Sequence, residues 1–196
     1  MKKNKAVLEM REDLISVYGN EKTEQIIRQA TADYNKLLNE YRNLPKAVKT
    51  HTSLIFAQVS IYRILKQDNP HQAMELMDIY SRKSGAKKRK MFLMMLKLPV
   101  LKHLFIRIFT FCTKNMFGEK NGFQVNFRKT TKKELQFDIM RCPYCEYCTK
   151  CGCPELAKVF CDNDIYSYQD LPGLKFVRNE TLGTSGKKCD FYYSQS

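Results

Sequence analysis

From residue 5 to about 117, apolar side chains recur at three- and four-residue intervals, the period that gives a helix one buried stripe. Val7, Met10, Leu14 and Tyr18 form the first stripe, and Gly19-Asn20 stops it. A second helix follows on Ile26, Ala30, Tyr34, Leu37 and Tyr41, ended by Pro45. Residues 47–66 are apolar on most sides, with Leu54, Ile55, Val59, Ile61 and Leu65, so this helix is expected to lie between others. Asn69-Pro70 is a helix start, with an N-cap acceptor followed by the residue best suited to the first helical position. The apolar stretch from Met91 to Phe111 is broken by Lys97, Pro99, Lys102, His103 and Arg107, too often for a bilayer span. It reads instead as a helix packed across a sheet.

After Gly118 the period becomes two. Phe123, Val125 and Phe127 alternate with polar neighbours, and so do Leu135, Phe137 and Ile139, with residues 129–133 as the intervening turn. Pro154 opens a helix that runs to about Tyr168, and Leu171-Pro172-Gly173 closes it. Leu174, Phe176 and Arg178 resume alternation, and a last strand carries Cys189, Phe191 and Tyr193. The expected fold is therefore α+β: a helical half, 1–118, packed on a small antiparallel sheet of β-β-α-β-β order, 119–196, the two forming one compact domain.

Charge and cysteine content narrow the chemistry. A net charge of +14 fits nucleic acid, an anionic membrane surface or a small acidic substrate. The dense run Lys87-Lys88-Arg89-Lys90 is not interleaved with aromatics, so a nucleic-acid partner is not expected, and peripheral membrane contact ranks below simple helix packing. The start Met1-Lys2-Lys3-Asn4-Lys5 leads into polar sequence rather than an apolar run, so reduced thiols in a cytoplasmic protein are expected.

Seven of the eight cysteines fall between Cys142 and Cys189. Cys142, Cys145, Cys148 and Cys151 have the two-residue gaps that invite zinc or an iron–sulfur cluster, although the ferredoxin spacing is not met and no second knuckle is evident. Cys161 and Asp164 are three apart on one helical face, where a thiol and a carboxyl can address one pocket. Arg178 shares a sheet face with Phe176 and needs a carboxylate partner there, either Asp190 or a bound acid. Strand alternation sends Cys189 and Asp190 to opposite faces.

Taken together, CPY at Cys142 to Tyr144, GCPEL at Gly152 to Leu156, Cys161 and Asp164, then GLKFVRNETL followed by CDF, resemble the L-2-amino-thiazoline-4-carboxylic acid hydrolase family. The resemblance implies a hydrolase that opens a cyclic amidine, converting the thiazoline acid to N-carbamoyl-L-cysteine. No cofactor is required by that chemistry, and the implied partner is a small carboxylate-bearing substrate. Arg178, with Thr181 and Asp190, would bind the substrate acid; Cys161, Cys189 or Cys142 would attack as thiolate; Asp164 would position water or relay the proton. All three histidines, His51, His71 and His103, precede these motifs, so a Cys-His pair needs the helical half to reach over the sheet. A non-catalytic metal- or small-molecule-binding sensor built on the cysteine run is the competing expectation.

Overall fold

The computed structural model describes residues 3–195. Met1 and Lys2, part of the charged start noted above, lie outside them, as does Ser196. Seven α-helices and four strands follow in order: α1 Lys5–Glu9, α2 Arg11–Glu40, α3 Lys46–Asp68, α4 Pro70–Lys97, α5 Pro99–Met116, β1 Gln124–Thr130, β2 Glu134–Arg141, α6 Pro143–Lys150, α7 Ala157–Tyr168, β3 Leu174–Val177 and β4 Cys189–Gln195. The class is α+β. Between the two strand pairs stand two helices, α6 and α7, where the sequence suggested one. Pro143 at the first position of α6 was a helix-start signal hidden inside a cysteine-rich run.

The sheet is wholly antiparallel in the order β1-β2-β4-β3. Phe137 pairs with Phe191, Leu135 with Tyr193 and Ile139 with Cys189, so the inward side chains of β2 and β4 form one stacked layer. Thr131 Oγ1 accepts from the amides of Lys133 and Glu134 and shapes the β1–β2 turn. The first strand departs from expectation. Phe123 is buried, but Phe127 is exposed, because β1 is an edge strand with register shifts beside Val125 and Lys129.

Asn69 caps α4 by accepting from the amides of His71 and Gln72. The kink in α2 sits at Gly19, at φ 75°. In α3 the residues Ile55, Val59, Ile61 and Leu65 are buried between α2, α4 and α6, while Leu54 is exposed. The apolar stretch 91–111 is two helices, since Pro99 starts α5 and Leu98 is extended.

Two cores result, and they interleave across residue 118. One joins α1 to α4 with Tyr147, Cys148, Leu156 and Val159 of the C-terminal part. The other joins Phe105 and Ile106 of α5 to the sheet residues Phe137, Phe191 and Tyr193. Tyr144 packs against both. Among the described residues no helix is long and apolar enough to cross a membrane.

Candidate functional site

Helix α7 carries the centre of the site. Its outer face is fixed to α4 by Asn163, which donates to the Ser81 carbonyl, and by Ser81, which donates to the Val159 carbonyl. Gly85 permits that approach: a Cβ there would meet Tyr166 Cβ at 2.5 Å. With one face fixed, Cys161 and Asp164 turn toward the sheet. Arg178, just past β3, comes to meet them. Its Nη1 donates to the Cys161 carbonyl at 2.8 Å and to Asp164 Oδ2 at 3.1 Å, and its guanidinium lies 5.6 Å from the centre of the Phe191 ring. The carboxylate partner of Arg178 is therefore Asp164.

Asp190 serves another purpose. On the opposite face of β4 it accepts from the amides of Asn179 and Glu180 and from the Asn179 side chain, pinning the segment after β3. Burial alone would raise its pKa, but these donors hold it below the usual carboxylate value. Asp190, expected at the substrate acid, is engaged with Asn179 and Glu180, and strand alternation separates it from Cys189. Thr181 and Cys189, by contrast, face the site.

Three thiols gather around Cys161. Cys145 and Cys189 direct hydrogen bonds at Cys161 Sγ, the Thr181 hydroxyl adds a third, and Arg178 supplies positive charge. Together they outweigh burial and hold the Cys161 thiol well below the ordinary cysteine range. Its neighbours move the other way: Cys145, hydrogen-bonded to Cys142 and Cys161, and Cys189, hydrogen-bonded to Cys161, are both pushed up. The Leu182 amide also donates to Cys189 Sγ at 3.2 Å. Within the cluster the hydrogen bonds favour the ionised form at Cys161 over its neighbours, and Cys142 is linked to it through Cys145.

Asp164 shows the complementary shift. Burial raises its pKa to about 7, against the lowering effect of Arg178 and with a further upward push from Cys161. Its side chain nevertheless keeps 31% of its surface accessible, whereas that of Arg178 keeps 4%. Tyr144, Tyr168 and Tyr193 are the rings within electrostatic reach of Asp164, and burial raises all three phenols. Behind Tyr144 stands His51 of α3, whose Nδ1 lies 3.2 Å from the phenol oxygen. Burial lowers the His51 pKa and favours the neutral ring. The helical half does reach the sheet, but through a tyrosine.

The run from Cys142 to Cys153 is divided. Cys142 and Cys145 face Cys161, while Cys148 and Cys153 are buried in the helical core and Cys151 lies toward Arg63. Lys66 Nζ approaches Cys153 Sγ at 3.5 Å. Cys148 stays within electrostatic reach of Cys142 and Cys161 while it is packed in the helical core, so the expected set Cys142, Cys145, Cys148 and Cys151 is spread between the two environments. Among the described residues no group of three or more Cys, His, Asp or Glu is arranged to hold a metal ion. Two open cavities, of about 370 and 210 Å³, lie elsewhere, between α1 and α4 and between α2 and α3. At the site itself the turn Thr181–Gly186 covers Cys161.

The sequence reading missed Cys145 as a neighbour of Cys161, and also Tyr144, Tyr168 and His51. Tyr144 had a signal, because it stands inside the CPY motif; His51 had none that local pattern supplies.

A family model described as L-2-amino-thiazoline-4-carboxylic acid hydrolase matches residues 48–193. No curated protein and no solved structure matches the chain.

Proposed function

The chain belongs to the L-2-amino-thiazoline-4-carboxylic acid hydrolase family, and from that premise we propose that it opens a small cyclic amidine bearing a carboxylate, with Cys161 as nucleophile and Asp164 as acid and base. One observation carries this reading. Cys161 is surrounded by donors that favour its thiolate, while Asp164, three residues away on the same helix and tied to Arg178, has a pKa raised to about 7. A nucleophile ready to attack and a carboxyl ready to give a proton at neutral pH are what opening such a ring needs.

The thiolate attacks the carbon between the ring nitrogen and sulfur of the amidinium form, making a carbon–sulfur bond to Cys161 Sγ. The ring carbon–sulfur bond then breaks, and the departing sulfur takes its electron pair and the Asp164 proton. The carbon is left as an isothiouronium on Cys161. Water adds to it and loses a proton to the Asp164 carboxylate. Cleavage of the new bond returns the Cys161 thiolate and, after loss of one proton to solvent, the carbamoyl product. Cys145, Cys189 and Thr181 stabilise the thiolate each time it is free. Arg178 uses only Nη1 on protein acceptors, which leaves its other nitrogens as donors for a substrate carboxylate. Access for the substrate requires the Thr181–Gly186 turn to shift.

The test is turnover of L-2-amino-thiazoline-4-carboxylate by the full chain, followed by mass spectrometry of the product and of acid-quenched protein. The proposal expects N-carbamoyl-L-cysteine and an adduct on Cys161, both absent from Cys161→Ala. Undiminished turnover by Cys161→Ala, or no turnover by the unmodified chain, contradicts it.

A further inference from the structure

Between Asp78 and Glu119 the chain has no acidic residue and ten Lys and Arg. This stretch forms the second half of α4 and all of α5, a helical hairpin joined at Leu98. Its inner face is well packed: the Phe92 ring meets Phe105 at 5.8 Å and Phe109 at 6.3 Å. Its outer face is not. The three most exposed large apolar side chains among the described residues, Phe111 at 70%, Val100 at 68% and Met94 at 63%, all lie on it, and Leu98 at the tip is 55% exposed.

The cations of the hairpin divide in the same way. Those near the body of the protein are engaged: Lys83 pairs with Asp13, Lys88 donates to Asn163, and Arg89 donates to the Asp170 carbonyl. The run at 87–90 is in this sense partly internal. Toward the tip, Lys90, Lys97, Lys102 and Arg107 are exposed. None of these four has an ion-pair partner among the described residues. Lys90, Met94 and Lys97 fall at three- and four-residue spacing, so apolar and cationic side chains share one stripe of α4, and Leu98 follows directly at the tip.

We infer that the tip of the α4–α5 hairpin docks on an anionic phospholipid surface, with Met94, Leu98 and Val100 entering the headgroup layer and Lys90, Lys97 and Lys102 contacting lipid phosphates. The combination selects this partner. Nucleic acid would use the cations but gives Met94, Leu98 and Val100 nothing by which to leave water. A second copy of the chain would bury the apolar tip but bring like charge against like charge. An anionic membrane interface satisfies both sets at once. The inner face packs against the sheet as the sequence suggested, and the membrane contact uses only the exposed face that this packing leaves.

Vesicle sedimentation of the full chain tests the inference, with phosphatidylcholine vesicles compared against vesicles that also contain phosphatidylglycerol. Binding is expected only to the anionic vesicles, and it should weaken as salt rises. The double substitution K90E/K97E should lower partitioning at least about thirty-fold, since each basic residue near such a surface multiplies it about five-fold. L98D/V100D, at positions exposed enough to leave the thermal transition unchanged, should abolish binding at moderate salt. Unmodified protein that stays in the supernatant with anionic vesicles overturns the inference. So does L98D/V100D protein that binds as well as the unmodified chain, because the contact would then be electrostatic alone.

Discussion

Gly183 and Cys161 meet so closely that a Cβ atom at position 183 would stand 2.5 Å from Cys161 Sγ and 3.0 Å from the Ala157 carbonyl oxygen. Backbone, rather than a side chain, therefore covers the thiol. The same turn presents Thr181, whose hydroxyl reaches Cys161 and accepts from the Gly183 amide at 3.0 Å. Lid and hydrogen-bond donor are one short segment, placed over the sulfur by the absence of a side chain.

Gly183→Ala is accordingly expected to displace the turn or the thiol. The stability cost should be about 1–3 kcal/mol, the usual penalty for overpacking. Turnover should fall by more than stability explains. Thermal unfolding and kcat, measured on the same preparation, check this.

Much of this site was legible from local pattern. Alternation in Leu174, Phe176 and Arg178 placed the guanidinium on the inner face, and helical spacing placed Cys161 beside Asp164. The unread parts depend on packing between elements distant in sequence. Nothing local says that Cys145 meets Cys161, because α6 and α7 are set against each other by the two cores. The choice of Asp164 over Asp190 as the partner of Arg178 turns on how α7 crosses the sheet. Phe127 looked buried because alternation reports a face but not whether anything covers that face, and an edge strand beyond the helices has little to cover it. The cysteine run was legible only as spacing: three-residue steps put Cys145 and Cys148 on neighbouring positions of α6, but which thiols pack in the core and which meet Cys161 depends on α7 and β4.

Asp164 sets the expected pH dependence. Its pKa in the folded chain, about 7, lies above the ordinary 3.8. Its contribution to stability is therefore complete below the ordinary value and is lost as pH rises through about 7. If the protonated carboxyl is the acid, kcat falls over the same upper range. Asp164→Asn should lower kcat by about 10²–10⁴-fold and lose that alkaline limb. Its unfolding free energy should also depend less on pH between the two values. A pH profile of kcat with parallel denaturant titrations reads both.

Gly85→Ala separates packing from chemistry. A Cβ there would meet Tyr166 Cβ at 2.5 Å and Tyr166 carbonyl carbon at 3.2 Å, on the side of α7 away from the thiol cluster. It should destabilise by about 1–3 kcal/mol, measured by denaturant unfolding. Below the transition, the turnover of the remaining folded protein should change much less than that of Gly183→Ala.

Asp190→Ala should act from the far face of the sheet. It leaves the amides of Asn179 and Glu180 without their acceptor. A loss of about 0.5–1.5 kcal/mol follows, since these amides lie near enough to the surface to bind water instead. Since these residues anchor the segment carrying Arg178 and Thr181, KM should rise as well. Steady-state kinetics beside thermal melts distinguish this from a pure stability effect.

The proposed mechanism requires Cys161 to be ionised where ordinary thiols are not. Thiolate absorbance, followed through a pH titration of the unmodified chain and of Cys161→Ser, measures this directly. One thiolate more in the unmodified chain than in the variant at about pH 6, well below the ordinary cysteine value, is the predicted result. Indistinguishable titrations until the ordinary cysteine range is reached would contradict it.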